Sequence, residues 1–122
     1  MPDPDGDPAV LLYVTETCPH CRRELASWEA RVESGRAPRP WILAAPTEGG
    51  DRRWIPAVLR GRAVLDTGGH SARALDVRAV PLTLFTDSAR VVRAVVLGRS
   101  SPSAYERGLQ AAGFPPPSED PS

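Results

Sequence analysis

The two cysteines of this chain stand as Cys18-Pro19-His20-Cys21, directly after the apolar run Val10-Leu11-Leu12-Tyr13-Val14. A thiol at the end of a strand and the start of a helix meets unpaired backbone N–H groups and the positive end of the helix, and both favour the thiolate. A cysteine so placed can fall from ~8.5 into the range ~3.5 to 7.5. Disulfide exchange needs one such attacking sulfur and a second thiol within reach to release the mixed disulfide. Cys18 suits the first role. Cys21, one turn further in and on the core-facing side, suits the second. Pro19 and His20 tune the pair: a protonated or hydrogen-bond-donating imidazole stabilises the thiolate, and so makes the disulfide a better oxidant than a Gly-Pro dipeptide would.

Other uses of the pair fit less well. A zinc site needs four ligands, and beyond the cysteines only His20 and His70 are on offer, with His20 inside the motif and unable to join both its flanking sulfurs on one ion. A structural staple closing so small a loop removes little chain entropy. No metal and no cofactor is expected. His70, after Gly68-Gly69, reads as a solvated loop histidine, Glu16 as a solvated loop charge, and Trp28, Trp41 and Trp54 as packing residues.

The elements around the motif follow from periodicity. Val10 to Val14 is a continuous apolar strand of the kind covered on both faces. Cys21, Leu25, Trp28 and Val32 then recur at helical spacing, with Thr17 as the expected N-cap, Pro19 in the first turn and a stop near Ser34-Gly35. Trp41 to Ala45 is a second strand, ended by Pro46. Asp51 to Arg60 is read as a short helix containing Pro56, Ala63 to Leu65 as a strand, and Ser71 to Leu75 as a short helix. Leu82 to Thr86 and Val91 to Leu97 flank the polar turn Asp87-Ser88-Ala89-Arg90 as a hairpin. Ser101-Pro102 opens a last helix with the stripe Tyr105, Leu109 and Ala112, closed by Gly113. Strand, helix, strand, irregular insert, hairpin and helix make a mixed three-layer α/β sandwich.

The chain has 122 residues, enough for one core. The folded part is expected at residues 9–114, with proline-rich tails at 1–8 and 115–122. Fifteen acidic residues balance fifteen basic ones, all arginine, and no basic run marks a nucleic-acid or anionic-membrane partner. No apolar stretch approaches the roughly 20 residues that span a bilayer. The leader Met1-Pro2-Asp3-Pro4-Asp5-Gly6-Asp7-Pro8 lacks the basic and apolar regions of a signal peptide, so the sequence as written is read as cytoplasmic; loss of an N-terminal anchor would make it extracytoplasmic. A monomer is expected.

With the elements in this order the chain resembles thioredoxin-fold proteins: Cys-x-x-Cys after the first strand, Val80-Pro81-Leu82-Thr83 at the opening of the hairpin, and a closing helix. That resemblance implies a thioredoxin-like three-layer α/β/α sandwich with a mixed central sheet. It also implies a cis Pro81 packed against the cysteine pair, with the backbone of Val80 shaping the groove that receives a partner segment. The segment Cys21-Arg22-Arg23-Glu24, and Asp66 to Pro81 with its Asp, Gly, Ala, Val and Pro, resemble the TlpA/ResA-like thiol-disulfide oxidoreductases, and the interval from Cys18 to Pro81 leaves room for that subfamily's extra helix and strand. The Pro-His dipeptide instead matches the DsbA family, whose large helical insertion this chain is too short to hold. Thr17 and Leu12 stand where thioredoxins carry Trp and a buried Asp, so no proton acceptor for Cys21 is evident.

The resemblance implies a thiol-disulfide oxidoreductase exchanging a Cys18–Cys21 dithiol or disulfide with cysteine-containing protein substrates and with an upstream dithiol donor or acceptor. A binding module of the same fold, holding a metal or docking a partner without turnover, is the alternative. A peroxiredoxin-like peroxidase is a third reading, opposed by Leu11, which stands where the Pro-x-x-x-Thr/Ser-x-x-Cys pattern of those enzymes needs proline.

Overall fold

Alternating side chains of the first strand divide the molecule in two. In β1 (Ala9–Val14) Val10, Leu12 and Val14 are buried in one apolar cluster, while Tyr13, with Leu11 packed beside it, belongs to another. A strand buried on both faces must be central, and β1 lies in the middle of a five-stranded sheet of order β3-β2-β1-β4-β5. Here β2 is Trp41–Ala44, β3 Ala63–Leu65, β4 Leu82–Thr86 and β5 Val92–Leu97. The first three run parallel, Leu12 opposite Ile42 and Ile42 opposite Ala63. β4 is antiparallel to β1, Leu12 opposite Thr83, and β5 is antiparallel to β4. This computed structural model describes residues 7–45 and 52–115. The expected tails at 1–8 and 115–122 fall outside them except for residues 7, 8 and 115, and the expected strand end at Pro46 and helix start at Asp51 fall outside them entirely.

Three helices cover the first face: α1 (Pro19–Glu33), α2 (Ala57–Arg60) and α4 (Pro102–Ala112). Cys21, Leu25 and Trp28 of α1, Leu59 of α2 and Tyr105, Leu109 and Ala112 of α4 join the β1 cluster. Trp28 is fully buried, edge-on to Tyr105 with ring centroids 5.0 Å apart. Gly108 lets α4 close on the sheet, because a Cβ there would lie 2.4 Å from the Phe85 ring. On the second face, among the described residues, α3 (His70–Ala74) and the chain after it pack, with Ala72 and Val77 against Tyr13, Leu82 and Leu84. The result is a three-layer α/β/α thioredoxin-like sandwich with a mixed central sheet.

Two local expectations are corrected. The helix expected over 51–60 shrinks to Ala57–Arg60, with Pro56 as its N-cap. Proline lacks the N–H that a helix interior needs and its ring collides with the preceding turn, so it starts the helix instead of lying within it. The second correction falls at the N-cap of α1, which is Cys18 and not Thr17.

Candidate active site

β1 ends at Val14 and α1 begins at Pro19, and the turn between them carries the sulfur pair to the C-terminal ends of the parallel strands. Cys18 has extended backbone angles, φ −96° and ψ 113°, and its own Sγ accepts the Cys21 backbone N–H at 3.2 Å. A sulfur acting as N-cap is therefore already bonded to a donor that favours its anion. Half-burial alone would raise the Cys18 pKa. The Cys21 thiol and the backbone N–H groups of Cys21 and His20 outweigh it and hold the thiol below its usual value. Cys21 is the opposite case. It is fully buried, and burial pushes its thiol up to about 12; the Thr15 N–H at 3.5 Å offsets this in part, while the neighbouring Cys18 adds to it. One sulfur is activated and half-exposed. The other is protonated and enclosed.

Val80 and Pro81 come to the same place from the far end of the chain. The Cys18 thiol lies 3.9 Å from the Val80 carbonyl oxygen, and the Val80–Pro81 peptide bond is cis. The Gly98 N–H donates to the Pro81 carbonyl at 2.8 Å and ties this turn to the end of β5. Pro19 and His20 occupy the first turn of α1 and are exposed. Glu16 pairs with Arg22 across 3.6 Å at the surface. His70 lies apart on α3, its ring 3.2 Å from the Arg73 guanidinium. Among the described residues no three His, Cys, Asp or Glu side chains gather as a metal site, and no helix is long and apolar enough to cross a membrane.

Glu24, the last residue of the Cys21-Arg22-Arg23-Glu24 segment, is fully buried. It is the buried carboxylate of α1, one turn beyond Cys21, where the indole N–H of Trp28 donates at 3.0 Å, the Ser100 N–H at 2.9 Å, and the Ser100 hydroxyl as well. The signal was available: residue 24 falls on the same helical face as 21, 25 and 28. Leu12, at the place of the buried Asp of thioredoxins, is core. On the second face Tyr13 and Asp66 form a pair that the sequence did not announce. The Tyr13 hydroxyl donates to Asp66 Oδ2 at 2.5 Å, and Asp66 also accepts the N–H groups of Ser71 at 2.9 Å and Ala72 at 3.0 Å.

No family model matches the chain, and no curated protein matches it by sequence. Solved structures do match in fold. DsbF of Mycobacterium tuberculosis, in mixed oxidised and reduced forms, superposes with a TM-score of 0.71 at 23% identity, over 88% of this chain and 81% of that one. A secreted Mycobacterium tuberculosis disulfide oxidoreductase homologous to DsbE gives 0.70 at 21% identity, over 91% and 84%. The exposed lipoprotein thioredoxin Etrx1 of Streptococcus pneumoniae gives 0.66 at 18% identity, over 88% and 87%. The cytoplasmic placement expected from the sequence is corrected by these likenesses, since one of the three proteins is secreted and another is an exposed lipoprotein. That expectation rested on the first eight residues.

Proposed function

We propose that this protein is a thiol-disulfide oxidoreductase of the TlpA/DsbE-like kind, with Cys18 as the attacking sulfur and Cys21 as the resolving one. The observation that carries the reading is the opposition of the two thiols: Cys18 is half-exposed, caps α1 and is held below its usual pKa, while Cys21 is buried and pushed up to about 12. In the reducing direction the Cys18 thiolate attacks a partner disulfide. One partner sulfur bonds to Cys18 and the other leaves as a thiolate that takes a proton from water. Cys21 then gives up its proton and attacks Cys18 Sγ, closing the Cys18–Cys21 disulfide and releasing the second partner thiol. Two electrons pass to the partner, and the oxidising direction is the same sequence reversed.

Glu24 ties the helix that carries Cys21 to the chain after β5, its carboxylate accepting from the Trp28 indole and from the Ser100 N–H and hydroxyl. Val80 and Pro81 border the groove that receives an extended segment of the partner, whose backbone would pair beside Val80 as an added strand. Partners are cysteine-containing proteins together with a dithiol donor or acceptor. The secreted and exposed proteins of similar fold favour action outside the cytoplasm, where protein disulfides form and persist.

Trapping tests the reading. Cys21→Ser leaves a nucleophile that cannot be resolved, so affinity-purified protein should carry partners through a reductant-sensitive bond to Cys18, identifiable by mass spectrometry. Recovery of no disulfide-linked protein would count against the enzyme. His20 tests the dipeptide: His20→Ala should lower the reduction potential measured against glutathione, and an unchanged or higher potential removes His20 as the tuning group.

A further inference from the structure

The second face of the sheet holds a polar pair that the dithiol mechanism does not use. Tyr13 and Asp66 are both nearly buried, with 4% and 5% of their surfaces exposed, in an apolar layer that includes Leu11, Leu43, Leu82 and Leu84. A buried carboxylate is costly unless its oxygens are satisfied. Asp66 is satisfied by the Tyr13 hydroxyl and by the N–H groups of Ser71 and Ala72, the start of α3. Burial alone would raise its pKa, and these three donors together hold the carboxyl below its usual range.

The connections run on from there to the sulfur. Ala72 accepts the N–H of Val77 at 2.8 Å, and three residues later Val80 presents its carbonyl to the Cys18 thiol at 3.9 Å. Ala72 and Val77 pack on the same cluster as Tyr13, and Val80 packs on that cluster and on the first-face one. At the other end, Tyr13 lies two residues before Thr15, whose N–H meets Cys21 Sγ. α3 has only five residues, and Asp66 tethers its start through the N–H groups of Ser71 and Ala72.

We infer that Tyr13 and Asp66 are positioning residues: together they fix the segment 66–80 on the sheet so that the Val80 backbone stands beside Cys18 to receive an extended partner. This inference rests on the oxidoreductase reading and adds to it a group that governs partner binding without touching sulfur. A small disulfide needs Cys18 alone, whereas a protein disulfide also needs the Val80 edge, so the pair should separate the two kinds of substrate.

The probes are insulin, as a protein disulfide, and 5,5'-dithiobis(2-nitrobenzoate), as a small one. Tyr13→Phe removes one hydroxyl, and Asp66→Asn removes the charge while keeping the shape. Both should lower kcat/KM for insulin about tenfold, mainly through KM. The second-order rate with the small disulfide should stay within about twofold of the unaltered protein, as should the Cys18–Cys21 equilibrium constant with glutathione. If Asp66→Asn does not fold, Tyr13→Phe decides alone. Unchanged insulin kinetics, or equal losses with both probes, would overturn the inference and reduce the pair to a packing element. Failure of the unaltered protein with both probes would overturn the oxidoreductase reading itself, and the inference with it.

Discussion

The two faces of the sheet solve the same problem by different means. The first face is covered by α1, α2 and α4, two of them long, and by large apolar side chains, Trp28, Phe85, Leu12 and Leu25 among them, all below 2% exposed. The second is covered by a five-residue helix and a loop, leaving Val64, Val95 and Leu97 of the sheet more than half exposed. Where apolar area is large, burial alone holds the elements together. Where it is small, a charged hydrogen-bonding centre, Asp66, does the holding. Both faces meet at the site: the first encloses Cys21, and Val80 packs against both clusters.

The strongest way to break this contrast is through the first face. Trp28→Ala should cost about 3–5 kcal/mol, read as a fall in the urea midpoint, since it opens a large cavity and strips a donor from Glu24. Gly108→Ala should cost about 1–3 kcal/mol despite the better helix propensity of alanine, because the new methyl meets the fully buried Phe85 ring. On the second face Asp66→Ala should cost about 1–3 kcal/mol by leaving the Tyr13 hydroxyl without its acceptor. Leu97→Ser, at 67% exposure, should change the stability by less than about 0.5 kcal/mol. A loss as large at Leu97 as at Trp28 would mean that the second face is covered in solution.

Titration sharpens the same contrast. Asp66 has its folded pKa lowered, so its contribution to stability is complete above about pH 4 and is lost as acid carries the pH down through the folded value. Tyr13 is pushed up to about 12, by burial first and by Asp66 second, so its contribution is complete below about pH 10 and is lost between there and about 12. Urea midpoints across pH check this, and Tyr13→Phe should show a smaller alkaline loss than the unaltered protein.

How much the sequence could show follows from the same physics. Periodicity reports burial, so β1, the stripe of α1, the hairpin and α4 were legible, and with them the seat of Cys18 and Cys21. The cis Pro81 was implied by the resemblance to thioredoxin-fold proteins, which its place before the hairpin helped to carry. The N-cap was not, because a preference for Thr at caps says nothing of a sulfur that takes the same bond one residue later. Within 52–75 the strand Ala63–Leu65 was legible, while the helix bounds were less so, because helices of four and five residues are too short to express a period. Tyr13 with Asp66, and Glu24 with Ser100, join positions more than fifty residues apart, and no local pattern announces such a pair.

The central claim is the opposition of the two thiols, and site-resolved alkylation tests it most directly. The fully reduced protein is treated with iodoacetamide across pH 4–10, and the two modified peptides are followed separately by mass spectrometry. The account predicts that Cys18 reacts first, with an apparent pKa below the usual thiol value, while Cys21 stays unmodified throughout the range. Equal rates at the two sulfurs, or faster modification of Cys21, would contradict it.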